Sequence, residues 1–453
     1  MAILPAIKAD DLVDRLGVNV HAAFGAPGRA GATYCYNQPG WTRLVSWLGL
    51  RHVRDQMWSP SVTGASGTAL LNAAIEFQNA GVGVLRSITG PAKLAELMNG
   101  EVPPPEAVET YNELDQDSDH LQTWSTDIAS FQPTLYKTVK AAWPTVPVLG
   151  PSLADATKYA QLSDQSAYVD FNNLHSYPRS AQIVEYVPSL ANATLGQFKT
   201  IAPGKGLWLT ETGLAHGDGR DPAVEVEEFT AAKLLLRFLL YAIAPATVTT
   251  INSYPKFTGF GGMGAERAYM YELLDDHYGY SNGRAIEDRH GLFNPDLSPK
   301  LTAHVLKNWC TLLADPGATF TPGSLDVTVS GIALNSFNQL AAQQSDGTMW
   351  WIIWEPSKVS DFQLGGGGQP RAGYDLYDPG VPITATFGQN WPSISVYRPL
   401  VSASPIQQAT GKKLNLTAYS DVQLVRVSAS RPKAADAIGG LRSYLDSRSM
   451  SNR

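Results

Sequence analysis

The chain is short of cysteine, of long apolar runs and of basic clusters, and each shortage removes a class of function. Only two cysteines, Cys35 and Cys310, occur in 453 residues. They lie far apart without metal-ligand spacing, so no disulfide framework or thiolate metal site is expected, and both read as buried thiols. The strongest apolar run, Leu234 to Ala244, is broken by Arg237 and is too short to cross a bilayer, so no membrane insertion is expected. Met1 to Ile7 is too short for the apolar part of a signal segment and is closed by Lys8-Ala9-Asp10-Asp11. The formal charge is −7, and no basic run of the kind that tracks a phosphate backbone is present, which argues against a nucleic-acid partner. No Gly-x-Gly-x-x-Gly follows the first strand-like run, so nothing supports a dinucleotide site, and no cofactor is expected.

What is present is an ordinary soluble globular composition, 44% hydrophobic and 17% charged. From about residue 17 to 315 a strand, loop and helix pattern repeats. Strand-like runs fall at Val18–Phe24, His52–Gln56, Val82–Ile88, Val108–Asn112, Val146–Leu149, Val169–Leu174 and Gly206–Thr210. They are continuous apolar runs rather than alternating ones, as strands covered on both faces should be. Helical stretches such as Gly67–Ala80, Thr123–Ala142 and Val224–Ile243 lie between them. Two segments compete for the eighth strand, Val248–Tyr254 and Ala268–Leu274; the second gives the better ending, with a closing helix near Leu297–Leu313. The expected fold is α/β, a (β/α)8 TIM barrel over residues 17–315. Residues 316–428 carry short β-type runs with turn punctuation and almost no helix, which predicts an antiparallel β-sandwich. Residues 1–16 form an extension that could pack on that sandwich, and 429–453 a polar tail.

The chemistry is expected at the strand ends. Glu113 closes the fourth run and Glu211 the seventh, so both open onto one rim of the barrel and face each other across its mouth. Two such carboxylates are what a glycosidase needs, and in the retaining kind they sit about 5–5.5 Å apart. Like charges that close are not both ionised cheaply, so one is expected to keep its proton and serve as the acid. His21 and His175 also end strands, but no His-x-His or third ligand accompanies them, and no metal is expected. Trp58 is a candidate to stack on a sugar face. Trp350-Trp351-x-x-Trp354 sits in a sandwich strand, where core packing is the expected role.

Asn112-Glu113 after the fourth strand and Thr210-Glu211-Thr212-Gly213 after the seventh resemble glycoside hydrolase clan A. The resemblance implies Glu113 as acid/base and Glu211 as nucleophile. His52-Val53-Arg54-Asp55-Gln56 resembles the second-strand signature, whose Arg supports the nucleophile. His175-Ser176-Tyr177-Pro178 resembles the sixth-strand His-x-Tyr, whose Tyr hydrogen-bonds it. Leu149-Gly150-Pro151-Ser152 and Tyr271-Glu272-Leu273-Leu274-Asp275 fit the same pattern, which is nearest to family 39-like enzymes with an appended sandwich. Asn112 is then expected to donate to a sugar 2-hydroxyl. Barrels of this clan commonly place a Trp near the end of strand eight; none stands here, and Tyr254 or Tyr271 is expected to substitute. The implied function is a retaining O-glycosidase with a carbohydrate substrate. The alternative is a non-catalytic carbohydrate-binding or structural component of a larger assembly, such as a bacteriophage tail, joined through the sandwich or the tail.

Overall fold

Short runs of Val, Leu and other apolar residues, buried on both faces, form the strands of a closed parallel barrel in the computed structural model. Residues 2–21, 40–56, 72, 75–100, 103–177, 199–217, 225–245, 263–275, 289–333, 337–355, 360–361, 374–375 and 378–429 are described. β1 (Ala2–Lys8) lies outside the barrel. The barrel runs β2 (Leu16–Asn19), β3 (His52–Gln56), β4 (Gly83–Ser87), β5 (Ala107–Glu109), β6 (Val148–Leu149), β7 (Phe171–His175), β8 (Gly206–Thr212) and β9 (Arg267–Met270). β9 pairs with both β8 and β2, which closes the ring and assigns the eighth strand to the second of the two competing segments. The first, Val248–Tyr254, lies outside the described residues.

Helices α1 (Asp11–Asp14), α2 (Trp41–Leu48), α3 (Pro91–Met98), α4 (Trp124–Ala142), α5 (Glu228–Ile243) and α6 (Leu301–Leu313) belong to the barrel region. α2 ends at Gly49, whose φ of +80° gives the left-handed turn that stops a helix without a Cβ penalty. α5 is buried almost all round because the barrel covers one side and the second domain the other; Arg237, fully buried, donates to the Ser420 carbonyl at 3.2 Å. The barrel's N-terminal end carries an ion-pair network of Asp14, Arg51, His52, Glu106 and Arg267, on the face that serves stability.

Inside the barrel, the two-residue period of a strand stacks unlike layers. Leu85, Ala107, Leu149, Trp208 and Tyr269, with Phe171 against them, make an apolar floor. Two residues further along their strands stand Glu109, Asn173 and Thr210, all buried and polar.

The second domain comprises β10 (Ser324–Ser330), β11 (Asn338–Gln343), β12 (Met349–Trp354), β13 (Val381–Arg398), β14 (Ser402–Ala418) and β15 (Gln423–Ser428). The sheet order is β10-β1-β11-β12-β15-β13-β14, and β10 also pairs with β13, so the sheet folds back on itself as a sandwich. β13 is 18 residues long and shifts register around Trp391, pairing Thr384–Phe387 with β10 and Ser393–Tyr397 with β15. One pairing departs from the antiparallel expectation: β1 runs parallel to β11 while antiparallel to β10. The sequence shows a β-type run at Ala372–Tyr377 and none over 402–418, and the structure differs at both. Around Tyr374–Asp375 the described residues pair with Ser360–Asp361 in a separate two-stranded sheet, and β14, polar with Pro405 and Lys412-Lys413, is a full edge strand. Its Pro and Lys residues are features that protect an exposed edge. Trp350, Ile352 and Trp354 face the cluster shared with the barrel, while Met349, Trp351 and Ile353 face the sandwich interior, so all three Trp are packed in core.

Candidate active site

At the C-terminal mouth of the barrel, five strands send side chains to one point. Arg54, from β3, donates from Nη1 to Glu211 Oε1 at 2.6 Å and to Asn19 Oδ1 at 2.8 Å. Its Nε donates to Glu109 Oε1 at 2.6 Å, and its Nη2 to Asn112 Oδ1 at 2.7 Å. An Arg this buried needs such partners, since an unpaired internal cation is expensive. The neighbouring Asp55 points the other way and pairs with Arg86 at 3.2 Å, so Arg54 is not tied up by the residue next to it.

Glu211, on β8, also accepts from the Tyr177 hydroxyl at Oε2, 2.7 Å. Burial on its own would raise this carboxyl. The His175 imidazole, the Arg54 guanidinium and the Tyr177 hydroxyl outweigh it and hold the group at about 2. Tyr177 is pushed well above the usual phenol range, by burial first and then by the Glu211 charge. Its hydroxyl therefore stays a donor.

Glu113 follows β5, where Asn112 bridges to Ser152, and its N–H donates to the Ser152 carbonyl at 3.2 Å. Its φ of +47° is left-handed, a conformation that non-glycine residues adopt rarely and that recurs at functional sites. The side chain is about a quarter exposed, unlike Glu211, and its Oε1 lies 2.8 Å from His175 Nδ1. The same nitrogen is 3.5 Å from Glu211 Oε2. One donor atom each of Glu113, His175 and Glu211 lie within 4.8 Å of one another. A cation there would sit near the Arg54 guanidinium that already holds Glu211 and be repelled by it.

Tyr271 follows β9 and stands edge-on to Tyr177 at 6.2 Å, to His290 at 5.5 Å and to His21 at 5.4 Å. His21 Nε2 contacts Glu272 at 2.9 Å. These rings form a wall beside Glu211. The structure thus brings together Arg54, Asn112, Glu113, His175, Tyr177 and Glu211, with His21 and Tyr271 alongside. Trp58 and Tyr254 lie outside the described residues, as does Cys35, while Cys310 is a buried thiol.

Sequence reasoning missed Asn19, Glu109, Asn173 and His290. Glu109 had a signal, a lone charge inside an apolar strand, which must find a buried partner. His290 stands just before Gly291-Leu292-Phe293, a run tied back to β9's end by the Leu292 and Phe293 amides.

The chain has the fold of the family 39 glycoside hydrolases. Over 94% of its length it superposes on a monomeric β-xylosidase from Caulobacter crescentus CB15, with a TM-score of 0.57, 12% identity and 98% of that chain covered. A family 39 enzyme from Xanthomonas axonopodis pv. citri matches with a TM-score of 0.56 at 12% identity, covering 94% of this chain and 96% of that one. A family 39 glycoside hydrolase from Bacteroides cellulosilyticus WH2 matches with 0.52 at 14%, covering 94% and 83%. Comparison of the sequence with protein-family models and with curated proteins finds no match.

Proposed function

We propose that the chain is a retaining glycoside hydrolase acting on the O-glycosyl bonds of a polysaccharide or glycoconjugate. The observation that carries this reading is the approach of Glu113 and Glu211 carboxylate oxygens to within 4.8 Å. Retaining enzymes hold their carboxyl groups about 5–5.5 Å apart, whereas inverting ones need about 6.5–9.5 Å to seat a water. The shared fold supports the same reading.

Glu211, ionised and held by Arg54 and Tyr177, attacks the anomeric carbon and forms a glycosyl ester. Glu113 protonates the departing oxygen and then takes a proton from the water that hydrolyses the ester. Asn112 has its Oδ1 occupied by Arg54, which leaves its amide hydrogens to donate to the sugar 2-hydroxyl. Tyr271, with His290 and His21, offers an aromatic wall for a sugar's C–H face.

An activated 2-fluoro glycoside panel followed by intact-protein mass spectrometry tests this. One glycosyl adduct on Glu211 is expected, and none in Glu211→Gln, which should lose at least about a thousand-fold in turnover while still binding glycan. No adduct, and no reducing ends released from a broad glycan panel, would leave the binding-protein alternative standing in its place.

A further inference from the structure

We propose that the proton donor is not Glu113 alone but the Glu113–His175 pair, which holds one transferable proton because Glu109, Asn173 and Thr210 lock the imidazole in its Nε2–H form. The catalytic use of that proton rests on the glycosidase reading; the lock does not.

The lock is read from donors and acceptors. The Glu109 carboxylate only accepts; Oε1 takes the Arg54 Nε–H at 2.6 Å and Oε2 takes Asn173 Nδ2 at 2.8 Å. That contact orients the Asn173 amide, so its Oδ1 must accept, and it does so from the Thr210 hydroxyl at 2.8 Å. A hydroxyl has one proton. With it given to Asn173, Thr210 Oγ1 can only accept from His175 Nε2, 3.1 Å away. The ring proton is therefore on Nε2. Nδ1 of a neutral ring is then a bare lone pair, 2.8 Å from Glu113 Oε1. Such a contact needs a proton between the two atoms, carried either by the carboxyl or by an imidazolium.

The charged groups facing the ring come from three elements: Glu211 from β8, Glu113 after β5 and Arg54 from β3. Burial lowers the affinity of His175 for a second proton. The Glu211 charge and the Glu113 hydrogen bond more than offset that, and the net direction is upward. This couples the pair to the reaction. As Glu211 bonds to the anomeric carbon its charge is consumed, the C–O bond breaks with its electron pair left on the leaving oxygen, and Glu113 passes the pair's proton to that oxygen. The pair now holds none, and the imidazole is neutral with Nε2–H. Losing the Glu211 charge weakens the ring's hold on the proton at the step that needs it. Water then gives a proton to Glu113 as its oxygen bonds the anomeric carbon and the ester bond to Glu211 breaks.

The test is ring-nitrogen-15 NMR of the histidine-labelled full chain over a pH series. The chain has eight histidines, and the His175 signal is assigned by its loss in His175→Gln. When neutral, wild-type His175 should show a protonated Nε2 and an unprotonated Nδ1. In Thr210→Val the neutral ring should move largely to Nδ1–H, and Thr210→Ser should keep the wild-type form. A neutral Nδ1–H would donate to ionised Glu113 and favour that charge. The alkaline limb of kcat/KM should then fall by about one pH unit in Thr210→Val and return in Thr210→Ser. A wild-type Nδ1–H form, or a tautomer that ignores Thr210→Val, overturns the proposal; the wild-type spectrum decides even if the variant does not fold. An adduct on Glu211 with the wrong tautomer overturns the shared proton and leaves the glycosidase. The expected tautomers without turnover of any glycoside leave the lock and remove the glycosidase.

Discussion

The sandwich encloses Trp351, Ile353, Phe387, Val396 and Val425, while the upper barrel, almost as tightly buried, encloses Asn19, Arg54, Glu109, Asn173 and Thr210. In the first interior, burial itself stabilises, at about 25 cal/mol per Å² of apolar surface removed from water. In the second, burial costs unless every charge and amide meets a partner, and replacing such a network by packed hydrocarbon is often neutral or stabilising. The polar layer is therefore not explained by stability. It sets fixed dipoles and charges beneath Glu113 and Glu211, and the proposed mechanism needs those positions held when charge moves.

The contrast can be broken most severely at Arg54. Arg54→Leu strands Glu109 in the barrel and removes the grip on Glu211. It should cost about 3–5 kcal/mol in chemical denaturation and abolish turnover together with stability. Tyr177→Phe should separate the two effects. It deletes one hydrogen bond to a charged group, about 1.5–3 kcal/mol, and the loss should appear mainly in kcat. Without that donor the ionised form of Glu211 is less favoured, so the acid limb of the pH profile should climb from near 2. If stability falls and the acid limb stays, the hydroxyl serves packing rather than the charge of Glu211. The smallest change is expected from Ile353→Val in the sandwich, about 0.5–1.5 kcal/mol on thermal unfolding with kcat and KM unmoved. A change in kcat there would show that the two interiors are coupled.

How much could be read beforehand follows the same division. The barrel was legible because each strand is a short apolar run ending in a recognisable residue, and Asn112-Glu113, Arg54, His175-Ser176-Tyr177 and Glu211 all stand at such ends. The sandwich was legible in β12, whose Met349–Trp354 run is apolar on both faces because one packs on the barrel and the other on the sandwich. β14 was missed because an edge strand that is largely exposed has no apolar pattern to show. For β1 the sequence offered an extension against the sandwich but no register, since its neighbours β10 and β11 lie more than three hundred residues away.

Taken by itself, the sequence determined the order of the first seven barrel strands and which carboxylates end them, because apolar periodicity and strand-end position are local properties. Only the tertiary structure decided that Arg54 serves Glu109 and Glu211 rather than Asp55, and that His175 leans on Glu113 at 2.8 Å while keeping 3.5 Å from Glu211. Those choices depend on which side chains the closed ring turns inward at the same height, and residues as far apart as Arg54 and Glu211 meet there only once β9 has sealed the barrel against β2.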